Sequence, residues 1–161
     1  MENAMNAVKS LMFPLAILSV LAAAPAVAGQ CKKIHADLDE VSSTTGCNAG
    51  LSSCFLGVVD GNHGLRGTSH FAADSAVSTS PATSPNFIIY SGPFEYRTAR
   101  GTITARETGV TTRGPEGVVT AYQEIVSATG VFAGSTGHFF VSGHKTGGTV
   151  ETFVNGEICR P

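Results

Sequence analysis

Hydrophobic and polar residues alternate along much of the chain after residue 53, in short runs that turn residues separate. In the clearest run, Leu65 to Ala73, every second residue is apolar or small and the residues between them are mostly polar. A period of two is typical of a β-strand that buries one face. No segment keeps a helical period beyond two turns. The pattern therefore predicts an all-β protein.

Turn signals divide this region into seven or eight predicted strands. Asp60–Gly64, Arg113–Gly117 and Thr146–Gly148 are strong turns. A loop is predicted at 75–86 and irregular, glycine-rich structure at 130–137. Short strands at even spacing are typical of an antiparallel barrel or sandwich, and we expect a closed, calycin-like barrel of about eight strands. The predicted strands are 55–59, 65–73, 87–98 (one strand, or two with a break at Ser91-Gly92-Pro93), 101–108, 118–127, 138–145 and 149–158.

The first 28 residues have the layout of a signal peptide. Lys9 and the α-amino group precede an apolar run, Leu11–Ala24, that is too short to span a bilayer. Small residues follow at Ala26-Val27-Ala28, so we expect cleavage before Gly29. Residues 31–53 are polar, with HADLDEV as their only candidate helical turn. We therefore predict a signal peptide at 1–28, an N-terminal arm at 29–53 and a barrel domain at 54–161, secreted or periplasmic, with no transmembrane segment after cleavage.

Composition narrows the classes of partner and cofactor. Charged residues make up 14% of the chain and the net charge is −2, which removes the positive charge expected of a nucleic-acid-binding protein. The sequence has no P-loop, no Ser-centred nucleophile elbow and no H-E-x-x-H motif. We therefore expect no nucleic-acid partner and no cofactor, and the sequence leaves a homo-oligomer open.

Four cysteines remain after the predicted cleavage, and an even number in an oxidising compartment predicts two disulfides. Alternation places Cys54 and Cys159 on the outer faces of the first and last predicted strands, which are neighbours in an up-and-down barrel. We therefore expect Cys54 to pair with Cys159 and Cys31 with Cys47. The main alternative pairs Cys47 with Cys159.

The C-terminal third carries a family resemblance. The run SATGVFAGSTGHFFVSG and the ending GEICRP resemble the ending of small secreted bacterial proteins of the allene oxide cyclase and dirigent barrel-like group. The upstream segment NFIIYSGPFEYRTARGTITARETG is similar to the Y-x-G hairpin and short strand of that group. Ala128-Thr129-Gly130 replaces the more common Gly-Thr-Gly, and Ser135 stands where Ala is usual. The matching positions are Gly130, Phe132, Gly134, Thr136, Gly137 and Cys159.

The resemblance implies an eight-stranded antiparallel barrel with a central pocket. In the plant enzymes of this group the barrel isomerises an unstable fatty-acid epoxide, and in dirigent proteins it steers the coupling of phenoxy radicals. We match no catalytic residue of either plant class onto this chain. The shared residues are mainly glycines that shape the backbone, so the resemblance transfers a fold rather than a reaction.

Alternation also selects polar side chains that would enter the barrel interior. If Phe94 points inward, so does Tyr96, and Glu107 continues the inward face of the strand at 101–108. A carboxylate and a phenol in one apolar pocket could act as acid and base or orient a polar ligand. The alternative is that Glu107 lies in water at the barrel rim and Tyr96 is a core residue.

The strand at 118–127 has two candidate registers. One places Gln123 inside the barrel, and the other places Tyr122 and Glu124 there. The candidates for catalysis are Tyr96, Glu107 and Glu124, and those for ligand binding are Phe94, Tyr96, Glu107 and Gln123.

Histidines do not predict a metal site. His138 and His144 share one face of a predicted strand, opposite Phe139 and Val141, and we expect that face to contact solvent. Metal binding would need a third ligand such as His70, and no spacing brings it near. We therefore predict no metal.

Three functions follow as hypotheses. The first is a secreted barrel that binds a small apolar molecule in its lumen. The second is an isomerase or cyclase of the allene oxide cyclase type. The third is a barrel that its own side chains fill and that acts through its surface. The volume of the lumen discriminates between them, because an eight-stranded barrel is just wide enough for side chains or for one ligand.

Overall fold

The computed structural model describes residues 29–51, 53–78 and 87–161. The predicted signal peptide and most of the predicted loop, 79–86, lie outside the described residues. Within these ranges, no helix has the length and apolar character needed to cross a membrane. Nine strands are described: β1 Gln30–Ser42, β2 Cys54–Gly61, β3 Arg66–Ala72, β4 Ser75–Ser78, β5 Phe87–Thr98, β6 Gly101–Thr112, β7 Glu116–Ala128, β8 Thr136–Thr146 and β9 Thr149–Arg160.

Eight of these strands form a closed antiparallel barrel. Their order is β3-β2-β1-β9-β8-β7-β6-β5, and pairing between β3 and β5 closes the ring. The short strand β4 lies outside this ring and pairs with residues 88–91, near the start of β5. The all-β prediction and the prediction of an eight-stranded barrel are therefore confirmed.

Strand β1 corrects the prediction of an N-terminal arm at 29–53. Residues Gln30–Ser42 pair with β9 along twelve positions and with β2 along seven. Ile34, Ala36 and Leu38 are buried on the inner face, while the alternating residues His35, Asp37 and Asp39 are exposed. The segment therefore has the period of two that defines a barrel strand, and HADLDEV is not a helical turn.

The predicted break at Ser91-Gly92-Pro93 marks a change of partner within one continuous strand. Strand β5 pairs with β4 up to Ser91 and with β3 from Phe94 onward. Pro93 lies between these two ladders, where no backbone N–H donor is required. Gly92 lies directly against the Ala72 carbonyl, where a Cβ would come within 2.4 Å of the oxygen.

Aromatic rings fill one half of the barrel interior. Tyr96 contacts Phe94 with ring centroids 4.7 Å apart, and it contacts Phe139 edge-on at 5.8 Å. Phe132, in a 3-10 turn between β7 and β8, is also fully buried, and the Arg160 guanidinium lies over its ring. This half of the barrel has a packed core of the kind expected for eight strands.

The disulfides differ from the predicted pairs. Cys31 lies directly opposite Cys159 across the β1–β9 ladder and bonds to it, and Cys47 bonds to Cys54. The predictions Cys54–Cys159 and Cys31–Cys47, and the alternative Cys47–Cys159, are therefore wrong. The reason is that β1 lies between β2 and β9, so Cys54 has no position beside the last strand.

Candidate functional site

A cavity of about 380 Å³ opens at the end of the barrel where the β1–β2, β6–β7 and β8–β9 connections meet. This volume is within the range of small-molecule sites. Its walls are largely apolar, and its polar groups come from several strands. The residues that line the cavity include Glu40, Phe55, Phe71, Tyr90, Glu107, Val119, Val141, Lys145, Val150 and Thr152.

A chain of buried hydrogen bonds forms the floor of this cavity. The Tyr96 hydroxyl donates to Gln123 Oε1 at 2.7 Å, and Gln123 Nε2 donates to Glu107 Oε2. Tyr96 and Gln123 are fully buried, whereas Glu107 also lines the cavity. Gln123 therefore orients the Glu107 carboxyl toward the opening and satisfies the phenol below it.

Glu40 is the second carboxyl in the cavity. It lies on the inner face of β1 and is 8% exposed. Among the described residues its one side-chain hydrogen bond comes from Ser69 Oγ on β3, and it is long, 3.4 Å. Gly57 on β2 leaves room for both groups, because a Cβ there would come within 2.6 Å of Glu40 Cγ and of Ser69 Oγ.

Tyr90 covers the inner face of β6 beside Glu107. Its ring lies over Gly109, where a Cβ would come within 2.4 Å of the phenol oxygen. The phenol lies near the carboxyl of Glu107, which is two residues before Gly109 on β6, and their interaction lowers the pKa of Glu107. The ring also contacts Phe71 edge-on, with centroids 5.5 Å apart. Glycine at 109 is therefore what allows a phenol, a carboxyl and an apolar wall to converge.

The two carboxyls are held in a medium that disfavours their charged forms. Burial raises the pKa of Glu40 to about 8, the negative charge of Glu107 adds to this rise, and the Ser69 hydrogen bond opposes it. Burial raises the pKa of Glu107 to about 7, while the hydrogen bond from Gln123 and then the nearby Tyr90 phenol oppose this rise. Burial, and then the charge of Glu107, also raises the pKa of the Tyr90 phenol. Near neutral pH the pair can therefore both donate and accept a proton.

Lys145 is the one basic side chain among the described lining residues. It enters from β8 near the mouth, and its Nζ donates a hydrogen bond to the Thr112 carbonyl oxygen. Partial burial lowers the pKa of its ammonium group. Lys145 makes no ion pair with Glu40 or Glu107.

The structure brings three of the sequence-predicted residues together and excludes two. Glu107, Gln123 and Tyr96 form the hydrogen-bonded floor, so Glu107 is not a solvated rim residue. Phe94 is buried among the rings beneath that floor and does not line the cavity. Glu124 faces solvent on the outside of β7, because the register that places Gln123 inside is the one adopted. The alternative register, which places Tyr122 and Glu124 inside the barrel, is therefore wrong.

Sequence reasoning missed Glu40 and Tyr90. Glu40 lies in the segment interpreted as an arm, although Ile34, Ala36 and Leu38 before it show the strand period. Tyr90 is two steps of alternation before Phe94, and the predicted break at 91–93 separates them. A period of two followed through both segments would have found each residue.

The histidines lie outside the barrel. His138 stacks on Tyr122 on the outer face of β8, and His144 is exposed on the same face. His70 lies on β3 beneath the segment that follows β1, with Nε2 3.2 Å from the Thr45 carbonyl oxygen. Since β2, β1 and β9 separate β3 from β8, the three rings are not brought together.

No family model matches this chain, and no curated protein or solved structure matches it. The resemblance to the allene oxide cyclase and dirigent barrel-like group therefore stays a prediction.

Proposed function

We propose that the protein is a secreted barrel that binds a small, largely apolar molecule in the cavity at the open end of its lumen. The observation that carries this proposal is the cavity itself, in which Glu40, Glu107 and Tyr90 converge between apolar walls. Concave, mostly apolar sites with a few oriented polar groups are typical of small-molecule binding. Two disulfides favour an oxidising compartment, in agreement with the predicted leader.

The distribution of aromatic residues supports binding over a function of the outer surface alone. Phe94, Tyr96, Phe132 and Phe139 are used to fill the other half of the barrel. Phe153, which would be needed to fill more of the lumen, is exposed on the outside of β9. Valines and one edge of the Phe71–Tyr90 pair are left as walls of the cavity.

Titration with a neutral, polarity-sensitive naphthalene dye such as Prodan tests the proposal. We expect saturable binding with a blue shift of emission. Val119→Phe should weaken binding at least tenfold, because Val119 lines the cavity and a phenyl group would occupy it. Val118→Phe is the matched control, since Val118 is the neighbouring residue on the same strand and faces outward. Equal affinity of the two variants, or no saturable binding to the parent protein, would refute a binding site in the lumen.

A second candidate function is an isomerase or cyclase. It is favoured by the two carboxyls, whose pKa values lie near neutral pH, and by the phenol on the same cavity wall. In this candidate Glu107 and Glu40 transfer protons, and Tyr96 and Gln123 position Glu107. Glu124 has no part in it, because it lies outside the barrel.

Native mass spectrometry of the mature protein, purified without reductant, separates these candidates. A retained molecule identifies the ligand class, and the same spectrum reports disulfides and oligomeric state. A binding protein returns its ligand unchanged after release and re-addition. An isomerase returns a product of equal mass that differs in chromatographic retention.

A further inference from the structure

Two carboxyl groups face one cavity without a cation to neutralise them. Glu40 enters from β1 and Glu107 from β6, and each is at least nine-tenths buried. Buried carboxylates in proteins are normally paired with a cation or with several hydrogen-bond donors. An uncompensated pair in an apolar cavity therefore indicates that a partner comes from outside the chain.

The basic side chains of the described residues do not neutralise Glu40 or Glu107. Its four side-chain ion pairs, Lys33–Glu157, Arg66–Asp60, Arg97–Glu95 and Arg106–Asp74, lie on the outer surface. Lys145 does reach the cavity, but its ammonium group donates to a backbone carbonyl at the mouth. No ion pair joins a basic side chain of the described residues to Glu40 or Glu107.

The hydrogen bonds of the two carboxyls are unequal. Glu107 accepts a hydrogen bond from Gln123, and the nearby Tyr90 phenol also favours its ionised form. Glu40 has the single long bond from Ser69 to Oε1, so Oε2 has no donor among the described residues. In the ionised form of Glu40, Oε2 accepts hydrogen bonds only, so the partner that this form lacks is a donor, and an ammonium group offers up to three N–H donors.

The walls around the carboxyls also suit a cation with an apolar body. Phe71 and Tyr90 present aromatic rings beside the carboxyl groups, and ring faces attract ammonium groups. Val119, Val141 and Val150 also line the cavity and can contact a hydrocarbon chain or an aryl ring.

We propose that the ligand of this cavity carries a cationic nitrogen, as in a protonated primary amine, held between Glu40 and Glu107 with its apolar part against the valine wall. This inference rests on the proposed function, since it names the chemical class of the lumen ligand. Binding of the cation favours the ionised form of both carboxyls, so it releases protons. The titratable groups facing this site come from four strands: Glu40 from β1, Tyr90 and Tyr96 from β5, Glu107 from β6 and Lys145 from β8. The other four strands contribute side chains that do not titrate: Phe55 from β2, Ser69 from β3, Gln123 from β7 and Thr152 from β9.

Three probes on one scaffold test the inference: 3-phenylpropylamine, 3-phenyl-1-propanol and 3-phenylpropanoate. Isothermal titration calorimetry at pH 7.5, in two buffers of different ionisation enthalpy, gives affinity and the number of protons exchanged. We expect the amine to bind at least tenfold more tightly than the alcohol. Groups with pKa values of about 8 and about 7 hold roughly one proton between them at this pH, so about one proton should leave per amine bound.

Isosteric amides identify the carboxyls responsible. Glu40→Gln and Glu107→Gln should each weaken amine binding about tenfold or more and reduce proton release, with little effect on the alcohol. Glu124→Gln is the matched control, since Glu124 lies on the outside of β7. Far-UV circular dichroism and Prodan binding verify that each variant keeps the barrel and its cavity.

The results separate the inference from the proposed function. If the alcohol or the carboxylate binds as tightly as the amine, or if Prodan binds and none of the three probes does, the inference is wrong and the proposed function stands. Unchanged amine affinity in both glutamine variants also overturns the inference. If neither Prodan nor any probe binds, the proposed function fails and the inference fails with it.

Discussion

At the scale of single residues, two glycines determine what the cavity can hold. Gly57 leaves the volume that Glu40 and Ser69 occupy, and Gly109 leaves the volume beneath the Tyr90 ring. Neither glycine has the positive φ that would require it for backbone reasons. Their role is to remove a Cβ at the points where polar side chains must enter an apolar interior.

The buried carboxyls make the stability of the barrel depend on pH. In the folded chain the pKa is about 8 for Glu40 and about 7 for Glu107, against 4.5 in an unfolded chain. The folded state therefore binds protons more tightly than the unfolded state. Their contribution to stability is complete below about pH 4.5 and is lost as pH rises through 7 and 8.

We therefore predict that the free energy of unfolding falls between pH 5 and pH 9, by an amount on the order of several kcal/mol, since one pKa unit corresponds to about 1.4 kcal/mol. Urea titrations at a series of pH values measure it. Glu40→Gln should flatten this dependence, because an amide at this position does not ionise, and should make the protein more stable than the parent at pH 9. Glu124→Gln should leave the profile unchanged. A parent protein whose stability rises over this range would contradict the assigned burial of both groups.

At the scale of elements, β1 is fixed to the last strand by pairing, packing and a covalent bond. Ile34 and Leu38 bury their side chains inside the barrel, and Cys31 bonds to Cys159 at the end of the same ladder. The bond joins residues 128 positions apart, whereas Cys47–Cys54 spans only 7. The two disulfides therefore constrain the unfolded chain to very different extents.

Removing the long-range disulfide should destabilise the protein more than removing the short-range one. In the chain-entropy description, loops of 128 and 7 residues correspond to about 5 and about 2 kcal/mol. Chemical denaturation of the Cys31→Ala/Cys159→Ala and Cys47→Ala/Cys54→Ala double variants compares them under the same buffer. Cys54 is fully buried, so its replacement also removes packing. This loss adds to the destabilisation of the short-range variant and therefore reduces the difference that we expect between the two variants. A larger loss from the short-range pair would show that local packing near β2 outweighs chain entropy.

The sequence pattern predicted most strands, but it did not predict which strands and cysteines pair when they are far apart in the chain. Runs such as 138–145 and 149–158 show their period of two within a few residues and match β8 and β9 closely. In β1, the charged residues of the exposed face made the segment look polar as a whole. The position of β1 between β2 and β9 depends on tertiary pairing. The wrong disulfides followed from that omission, because strand order decides which cysteines are neighbours.

For the same reason, the sequence predicted only some of the residues of the candidate site. Glu107, Gln123 and Tyr96 lie on strands whose alternation is local, and inward direction alone brings them together. Glu40 joins them only through β1, and Tyr90 only because β5 continues through Pro93 while changing partner. Local alternation directs both side chains inward, but their meeting with Glu107 depends on strand order and on the change of partner, which the pattern of a single strand does not encode.

At the scale of the whole molecule, the barrel has one filled end and one open end, and β1 contributes to both. Its inner face supplies Ile34 to the packed half and Glu40 to the cavity. Without β1, the ring would be left with two unpaired edges, at β2 and β9. Unpaired strand edges favour aggregation, so closure by β1 is required for the folded barrel as well as for the site.

A chain that begins at Ser43 should therefore fail to fold cooperatively, although the barrel was predicted to begin only at residue 54. A synthetic peptide of residues 30–42, added during refolding under oxidising conditions, should restore the barrel and form a disulfide with Cys159. The mass of the disulfide-linked product, near-UV circular dichroism and Prodan binding report pairing, packing and the cavity in turn. A peptide with Ile34→Asp and Leu38→Asp is the control, because it keeps the cysteine but cannot bury its inner face. Cooperative folding of the truncated chain alone would show that residues 29–42 are an arm that the barrel does not need. Efficient rescue by the control peptide would show that β1 acts through its disulfide and not through the packing of its inner face.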